Sequence, residues 1–387
     1  MPSVKPAYET FARIKVIGVG GSGGNAVSHM ASARVRGVEL AAVNTDAQDL
    51  HHTPVATKVH IGKETTRGLG AGMNPELGRQ SAEESREALR DLVKDADMVF
   101  ITGGLGGGTC SGAAPILAKI AKDAGALTIA VVTKPFSFEG RQRARIASEA
   151  LEELRRNVDA IVTIENDRIL NVVDKDVSLL QAFKVVNEVL RQAVAGIAEI
   201  ITVPGLINVD FADVAAIMRD AGTAHMGIGK ASGEGKLVEA AKAAIASPLV
   251  ETSIDGARGI LFSVIGGSDI TMQEVHEAAK LITARADPEA KIIFGAVIDR
   301  TMPKRSARVT VIATGIGPLP KTSPAEGVLA GPRALRSVGA VTSQGAPMQQ
   351  AEVSMSEEED PFEVPAFIRR KLSGSREGDE GGRAKKK

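Results

Sequence analysis

The chain has one cysteine, Cys110, no tryptophan and a single tyrosine, and aromatic residues make up 3% of its 387 positions. A lone cysteine excludes an internal disulfide framework and a cysteine-based zinc site. So few aromatics mean that any core is aliphatic, and a 43% hydrophobic content suffices for two such cores at this length. Neither charge is in excess, since 47 Lys and Arg face 47 Asp and Glu. A balanced charge offers no general attraction for nucleic acid. No run approaches the ~18 apolar residues of a membrane span, and the first residues carry no signal-peptide core. These absences predict a cytoplasmic protein that binds no nucleic acid and does not insert into a membrane.

Glycine, by contrast, is abundant at 41 residues, and it clusters. The densest run is Gly103-Gly104-Leu105-Gly106-Gly107-Gly108-Thr109-Cys110-Ser111-Gly112. It lies between a strand-like stretch, Met98–Ile101, and a helix-like one, Ala113–Ala118. A strand that turns through glycines into a helix leaves backbone N–H groups without internal partners. Glycine also lets a ligand approach the backbone closely, and the helix dipole favours an anion there. The run therefore reads as a phosphate-binding turn, with Thr109 and Ser111 adding hydroxyl donors.

Residues 1–12 read as a loose arm, and residues 13–177 as a first α/β domain. Its first strand, Arg13–Val19, is followed by Gly20-Gly21-Ser22-Gly23-Gly24-Asn25 and a helix from Ala26. A second strand, Val38–Val43, ends in Asn44-Thr45-Asp46, and a third glycine loop, Arg67–Pro75, contains Gly70, Ala71 and Gly72. Further strands at Leu127–Val132 and Ala160–Ile164 flank a helix near Arg141–Asn157. Alternation of this kind predicts a parallel sheet covered on both faces. Residues 178–203 carry apolar positions at helical spacing on nearly every side, which predicts a long helix buried between two domains. Residues 204–317 read as a second, smaller α/β domain with strands at Ile260–Ile265, Ala290–Val297 and Ala307–Thr314. Residues 318–357 have linker composition, and 358–387 form a tail with the apolar island Phe362–Arg370.

Gly18-Val19-Gly20-Gly21-Ser22-Gly23 formally fits a dinucleotide-binding loop, and Asp46 falls where a ribose-binding acid would stand. That pattern admits an oxidoreductase. Three glycine loops on one sheet edge, however, suit a phosphate chain held on several sides. A Walker lysine is missing, because Gly229-Lys230 is followed by Ala231. In the second domain, Asn208-Val209-Asp210-Phe211-Ala212-Asp213 places two carboxylates in the first turn of a helix. They serve either as an N-cap and its neighbour or as a pair that orients a water for attack on phosphate.

Taken in order, Lys15–Asn25, Asn44–Asp46, Gly68–Pro75, Gly106–Gly112, Thr133–Phe136, Phe138–Gly140, Asn166–Arg168 and Asn208–Asp213 resemble the motifs of the FtsZ family, the bacterial tubulin-like division GTPases. The resemblance runs from about Arg13 to Gly317 and returns at Phe362–Arg370. It implies a tubulin-like fold whose GTP-binding domain is joined by a central helix to a second, GTPase-activating domain. It further implies GTP and GDP as ligands, with Mg2+ bound through the nucleotide and no metal site of the chain's own. By position, Gly21, Ser22, Gly23, Gly24 and the turn Gly106, Gly107, Gly108, Thr109 and Cys110 resemble the phosphate cradle, with Asn44, Asp46, Gly70, Ala71 and Gly72 in neighbouring motifs. Glu139 and Arg143 resemble ribose and phosphate contacts, Asn25, Asn166 and Asn187 polar contacts to ribose and base, and Phe183 a stacking partner of guanine. Asn208, Asp210 and Asp213 are implied to serve a neighbouring subunit's nucleotide in a head-to-tail filament. Phe362–Arg370 is implied to dock on membrane-tethering and regulatory division proteins at mid-cell. A scaffold with an inactive site is a further alternative, which the intact Asp210 and Asp213 oppose. Three positions depart from the family: Cys110, where Gly is usual, Glu165, where Pro is usual, and Ser22, often Gly. A side chain at position 110 costs about 1 kcal/mol if that position requires φ > 0.

Overall fold

The computed structural model describes residues 12–170, 177–203, 205–247, 254–299, 302–303 and 305–316. The arm before residue 12, the linker 318–357 and the peptide Phe362–Arg370 expected above lie outside these residues. Strand and helix alternate from the start: β1 (Ile14–Val19), α1 (Gly20–Ser32), β2 (Val38–Asn44), α2 (Ala47–His52), β3 (Thr57–His60) and the short α3 (Lys63–Thr66). The series continues through α4 (Pro75–Glu84), α5 (Arg86–Val93), β4 (Met98–Gly104), α6 (Gly108–Asp123), β5 (Leu127–Lys134), a 3-10 turn at Ser137–Glu139, α7 (Arg141–Asn157), β6 (Ala160–Glu165) and the single turn α8 (Asn166–Ile169). The long helix α9 (Leu179–Thr202) leads to α10 (Phe211–Met218), β7 (Gly222–Ser232), α11 (Lys236–Ile245), β8 (Gly259–Gly266), α12 (Met272–Thr283), β9 (Lys291–Ile298) and β10 (Ser306–Thr314).

One ten-stranded sheet runs through both halves in the order β3-β2-β1-β4-β5-β6-β7-β10-β8-β9. The strands from β3 to β7 are parallel, as the alternation predicts. β10 is antiparallel to both β7 and β8, so the second half is mixed. The side-chain period of two divides β4 cleanly: Phe100 enters one buried cluster, while Val99 and Ile101 enter the cluster on the opposite face. Both faces are covered, which is why the first-half strands read as near-continuous apolar runs.

The continuity of the sheet was not expected. β6 and β7 pair only over Ala160–Val162 against Gly222–Ala224. Asp159, buried at the entry to β6, reinforces this seam by accepting from Thr128 N (2.9 Å) and pairing with Lys122 Nζ (3.2 Å), which also holds Asp220 (2.7 Å). β7 itself escaped the sequence reading because its glycines resemble a loop. Their role is packing, since a Cβ at Gly227 or Gly229 would overlap the backbone carbonyls of Ala244 and Ala240 in α11.

α9 is capped by Ser178, whose hydroxyl accepts from Gln181 N at 3.3 Å. Its Val186, Leu190, Val194 and Ile197 share one buried cluster with Val16 and Phe100 of the first half and with Val214, Leu261 and Ile312 of the second. Its polar face ties the halves as well: Glu188 bonds His29 of α1 (2.9 Å), and Glu199 bonds Arg308 of β10 (2.6 Å).

α1 begins at Gly20 rather than Ala26, so the glycine run forms its first turns. Gly23 packs backbone to backbone on the sheet, where a Cβ would lie 2.7 Å from Gly18 C and from Thr102 O. Helix propensity is weak there, but no bulkier residue fits, and tertiary packing decides.

Candidate functional site

α1 and α6 start beside one another, because β1 and β4 that feed them are neighbours in the sheet. Among the described residues no side chain caps either helix, and neither first turn contains an acid. Their N-terminal N–H groups and both helix dipoles therefore act on the same cleft, of about 380 Å³. Such a floor suits an anion.

Gly21, Ser22, Asn25, Gly72, Gly107, Gly108, Thr109 and Cys110 line the cleft. Ser22 joins the two glycine segments, its Oγ accepting from Gly104 N at 2.6 Å. Thr109 Oγ1 meets Thr45 Oγ1 at 2.6 Å, and the buried Ser111 Oγ accepts from Gly106 N at 2.9 Å. The third glycine loop crosses the start of α6, with Gly108 N donating to Gly72 O at 2.7 Å. A Cβ at Gly108 would lie 2.7 Å from three carbonyl oxygens of that loop, so glycine is required for this approach.

Cys110 is in α6 with ordinary helical backbone, so the strain anticipated for a side chain there does not arise. Its thiol is buried in the core above Gly103, where a Cβ would come within 2.6 Å of Sγ. Burial pushes the thiol up to about 12, so it stays protonated and unreactive at neutral pH. Only the backbone of residue 110 is presented to the cleft floor as a polar donor.

The opposite wall comes from α9, α8 and the turn after β5. Phe183 is 42% exposed and meets Phe136 edge to face at 5.7 Å, while Phe136 stacks on Phe138 at 5.0 Å. Asn187 lies one helical turn beyond Phe183 on the cleft side of α9. Asn166 is 5% exposed, and its Oδ1 has no hydrogen-bond partner among the described residues. A buried amide oxygen left open in this way calls for a donor from a ligand. Glu139 Oε1 accepts from Phe136 N at 2.9 Å, and its other oxygen pairs with Arg143.

Several expected site residues lie outside the lining. Gly23, Gly24, Gly70, Ala71 and Gly106 shape the segments without facing the cleft. Asn44 is buried and bonds Asp49 and the backbone of Thr45. Asp46 caps α2, accepting from Gln48 N and Asp49 N at 3.0 Å each. The acid that a dinucleotide fold would offer to ribose is thus held in a helix cap, and nothing supports the oxidoreductase reading. Thr133, Pro135, Val186 and Leu190 also line the cleft and were missed. Helical spacing from Phe183 would have found the last two.

Asn208, Asp210 and Asp213 are exposed and stand apart from the cleft. Asn208 Oδ1 accepts from Gly205 N at 2.6 Å, and Asp210 caps α10 by accepting from Asp213 N at 2.8 Å. Their loop is fastened to the edge of β9, with Leu206 N and Ile207 N both donating to Ala296 O. From Phe183 to the end of α9 at Thr202 the helix rises about 28 Å. The carboxylates follow that far end.

Residues 13–174 match the family model described as the Tubulin/FtsZ family GTPase domain, and residues 222–317 match the FtsZ family C-terminal domain. The chain is also 46% identical to an FtsZ from M. jannaschii solved as an empty dimer, with a TM-score of 0.76 over 80% of this chain and 89% of that one. The chain belongs to the FtsZ family. As a member it is a guanine-nucleotide-binding GTPase of tubulin-like fold. The fold is shared more distantly with Haloferax volcanii CetZ2, solved as a GTPγS-bound protofilament: 23% identity, TM-score 0.67, 78% of this chain and 92% of that one. CetZ1 of the same organism, solved as a GDP-bound monomer, gives 21% identity and a TM-score of 0.69 over 80% and 96% of the two chains. No helix among the described residues of this FtsZ-family chain is long and apolar enough to cross a membrane.

Proposed function

We propose that this chain assembles head to tail and hydrolyses GTP only at junctions, where one subunit holds the nucleotide and the next supplies Asn208, Asp210 and Asp213. The observation that carries this is the length of α9: the loop bearing the carboxylates begins after its far end, about 28 Å along the helix from Phe183, and none of them lines the cleft of their own subunit. The FtsZ dimer and the CetZ2 protofilament support assembly of this kind.

In the cleft, the starts of α1 and α6 with Ser22 and Thr109 receive the phosphates, and Phe183 stacks on guanine. Asn166 Oδ1 accepts from the base edge, with Asn187 and Asn25 beside it. Adenine would leave these amides unpaired, which costs ~1–3 kcal/mol. Among the described lining residues the one carboxylate, Glu139, is already paired, so Mg2+ fits as an ion carried by the phosphates and water. When bound, it would stabilise charge on the departing phosphate. The partner's Asp213 and Asp210 orient the attacking water. Carboxylates repel bound phosphate, so their arrival at the junction acts on the reaction more than on affinity. Phe362–Arg370 serves as the docking peptide for tethering and regulatory proteins at a cytoplasmic, mid-cell site.

The test mixes two inactive variants. Asp213→Ala keeps the cleft but offers no carboxylate. Gly107→Trp blocks the cleft, since a side chain there meets open space, yet retains Asp213. Each is expected to be inactive alone and the mixture to recover part of the activity. Co-sedimentation of the two with activity at background rules out the shared site.

A further inference from the structure

Glu165 is the last residue of β6 and directly precedes Asn166, a residue of the cleft lining whose buried amide oxygen has no partner among the described residues. Asn166 begins α8, which is a single turn of four residues. One isolated turn has little stability of its own, because nucleation fixes several residues for one hydrogen bond. Something must hold it.

The holding contacts converge from two sides. Asp167 Oδ1 accepts from Ser137 N at 2.9 Å, which joins the turn to the segment carrying Phe136 and Phe138. On the other side Glu165 Oε2 accepts from Arg168 Nε at 2.7 Å, spanning the turn at i,i+3. Its Oε1 accepts from Lys134 Nζ at 3.1 Å. Lys134 and Glu165 are register partners in the parallel β5–β6 pair, so the ion pair crosses directly between neighbouring strands. Lys134 also lies between Thr133 and Pro135, both of which line the cleft. Arg168 foremost, then Lys134, holds the Glu165 carboxyl below the usual carboxylate range, so it is ionised at neutral pH.

The geometry points to Glu165 as a positioning residue for base recognition: its two ion pairs close α8 and fix the Asn166 amide against the cleft. This rests on the reading of Asn166 as a base contact. The family's usual proline achieves a similar end by covalent restriction of φ, and Glu165, at φ −87°, lies about 20° beyond the value proline favours, within reach of a small backbone adjustment. The ionic solution differs in one respect. All three charged side chains are 28–32% exposed, so salt screens the clamp where it would leave a proline untouched.

Full-length wild type, Glu165→Gln, Glu165→Pro and Asn166→Ala are compared by the ratio of ATP to GTP dissociation constants at 50 mM and 500 mM potassium chloride, conditions chosen to bracket the screening length. Wild type is expected to lose about fivefold in this ratio at high salt, roughly one hydrogen bond's contribution. Glu165→Gln, isosteric and partly exposed, is expected to show the lower ratio at both salts with an unchanged melting temperature. Glu165→Pro is expected to keep the high ratio at both. A Glu165→Gln protein that matches wild type at both salts, while Asn166→Ala loses discrimination, overturns the role of Glu165 alone. Unchanged discrimination in Asn166→Ala overturns the base contact itself. Should Glu165→Pro fold poorly, the wild-type and Glu165→Gln salt series decide the matter without it.

Discussion

The start of α6 and the start of α10 are built in opposite ways. α6 opens on Gly107 and Gly108, with no acid in its first turn and no side-chain cap among the described residues. α10 opens on Asp210, which accepts from Asp213 N, and Asp213 adds a second carboxylate to the same turn. A helix start that carries its own acids has already satisfied its donors and its dipole. One that carries none leaves both to a ligand. The difference teaches that local chemistry equips these ends oppositely: the first is left able to receive an anion, while the second already presents negative charge of its own.

The sharpest way to break that contrast is to remove the acid from α10. Asp213→Ala is expected to lower kcat by about a thousandfold, within the range of a positioned acid–base group, while GTP affinity stays within about twofold. Single-turnover hydrolysis and nucleotide displacement check the two parts separately. The converse change puts an acid into α6. Thr109→Asp places a carboxylate in the first turn of α6 and should weaken GTP binding by about a hundredfold, through repulsion of a few kcal/mol near the surface. Its melting temperature is expected not to fall. A smaller effect separates cap from chemistry at position 210. Asp210→Ala should lose about 1 kcal/mol of stability in denaturant titration, whereas Asp210→Asn, also a good N-cap, should lose almost none. Smallest of all is the response of Cys110 to thiol reagents. A thiol raised to about 12 should resist alkylation at pH 8 in the folded protein and react only after unfolding, as mass spectrometry would read.

Much of this contrast was legible in the chain itself. α7 and α9 follow from apolar spacing, and the cleft wall at Asn166, Phe183 and Asn187 follows from the family motifs. What stayed hidden has a common physical cause. Gly23 resembles a ligand-contacting glycine but serves close backbone packing, as do Gly227 and Gly229 in the unrecognised β7. A sequence shows that a side chain is absent without showing whether ligand or protein fills the space. Asn44 and Asp46 lie outside the cleft lining for a related reason, since polar residues at a strand end satisfy neighbouring backbone as readily as a ligand. Ser22 and Glu165 could be placed only once their partners were located: Gly104 in β4, Lys134 across the β5–β6 pair, and Arg168 one turn on in α8.

The seam between β6 and β7 has a mechanical consequence. β4 and β5 share seven residue pairs and β8 and β9 share eight, but the seam has three. Transverse stiffness in a sheet comes from such pairs, so torsion between the halves concentrates at the seam, with α9 as its axle. Tension along the molecule meets a different resistance, because it passes through the covalent length of α9. The subunit is therefore expected to be more compliant in twist than in stretch, so that a filament built from such subunits would bend within its links as well as between them.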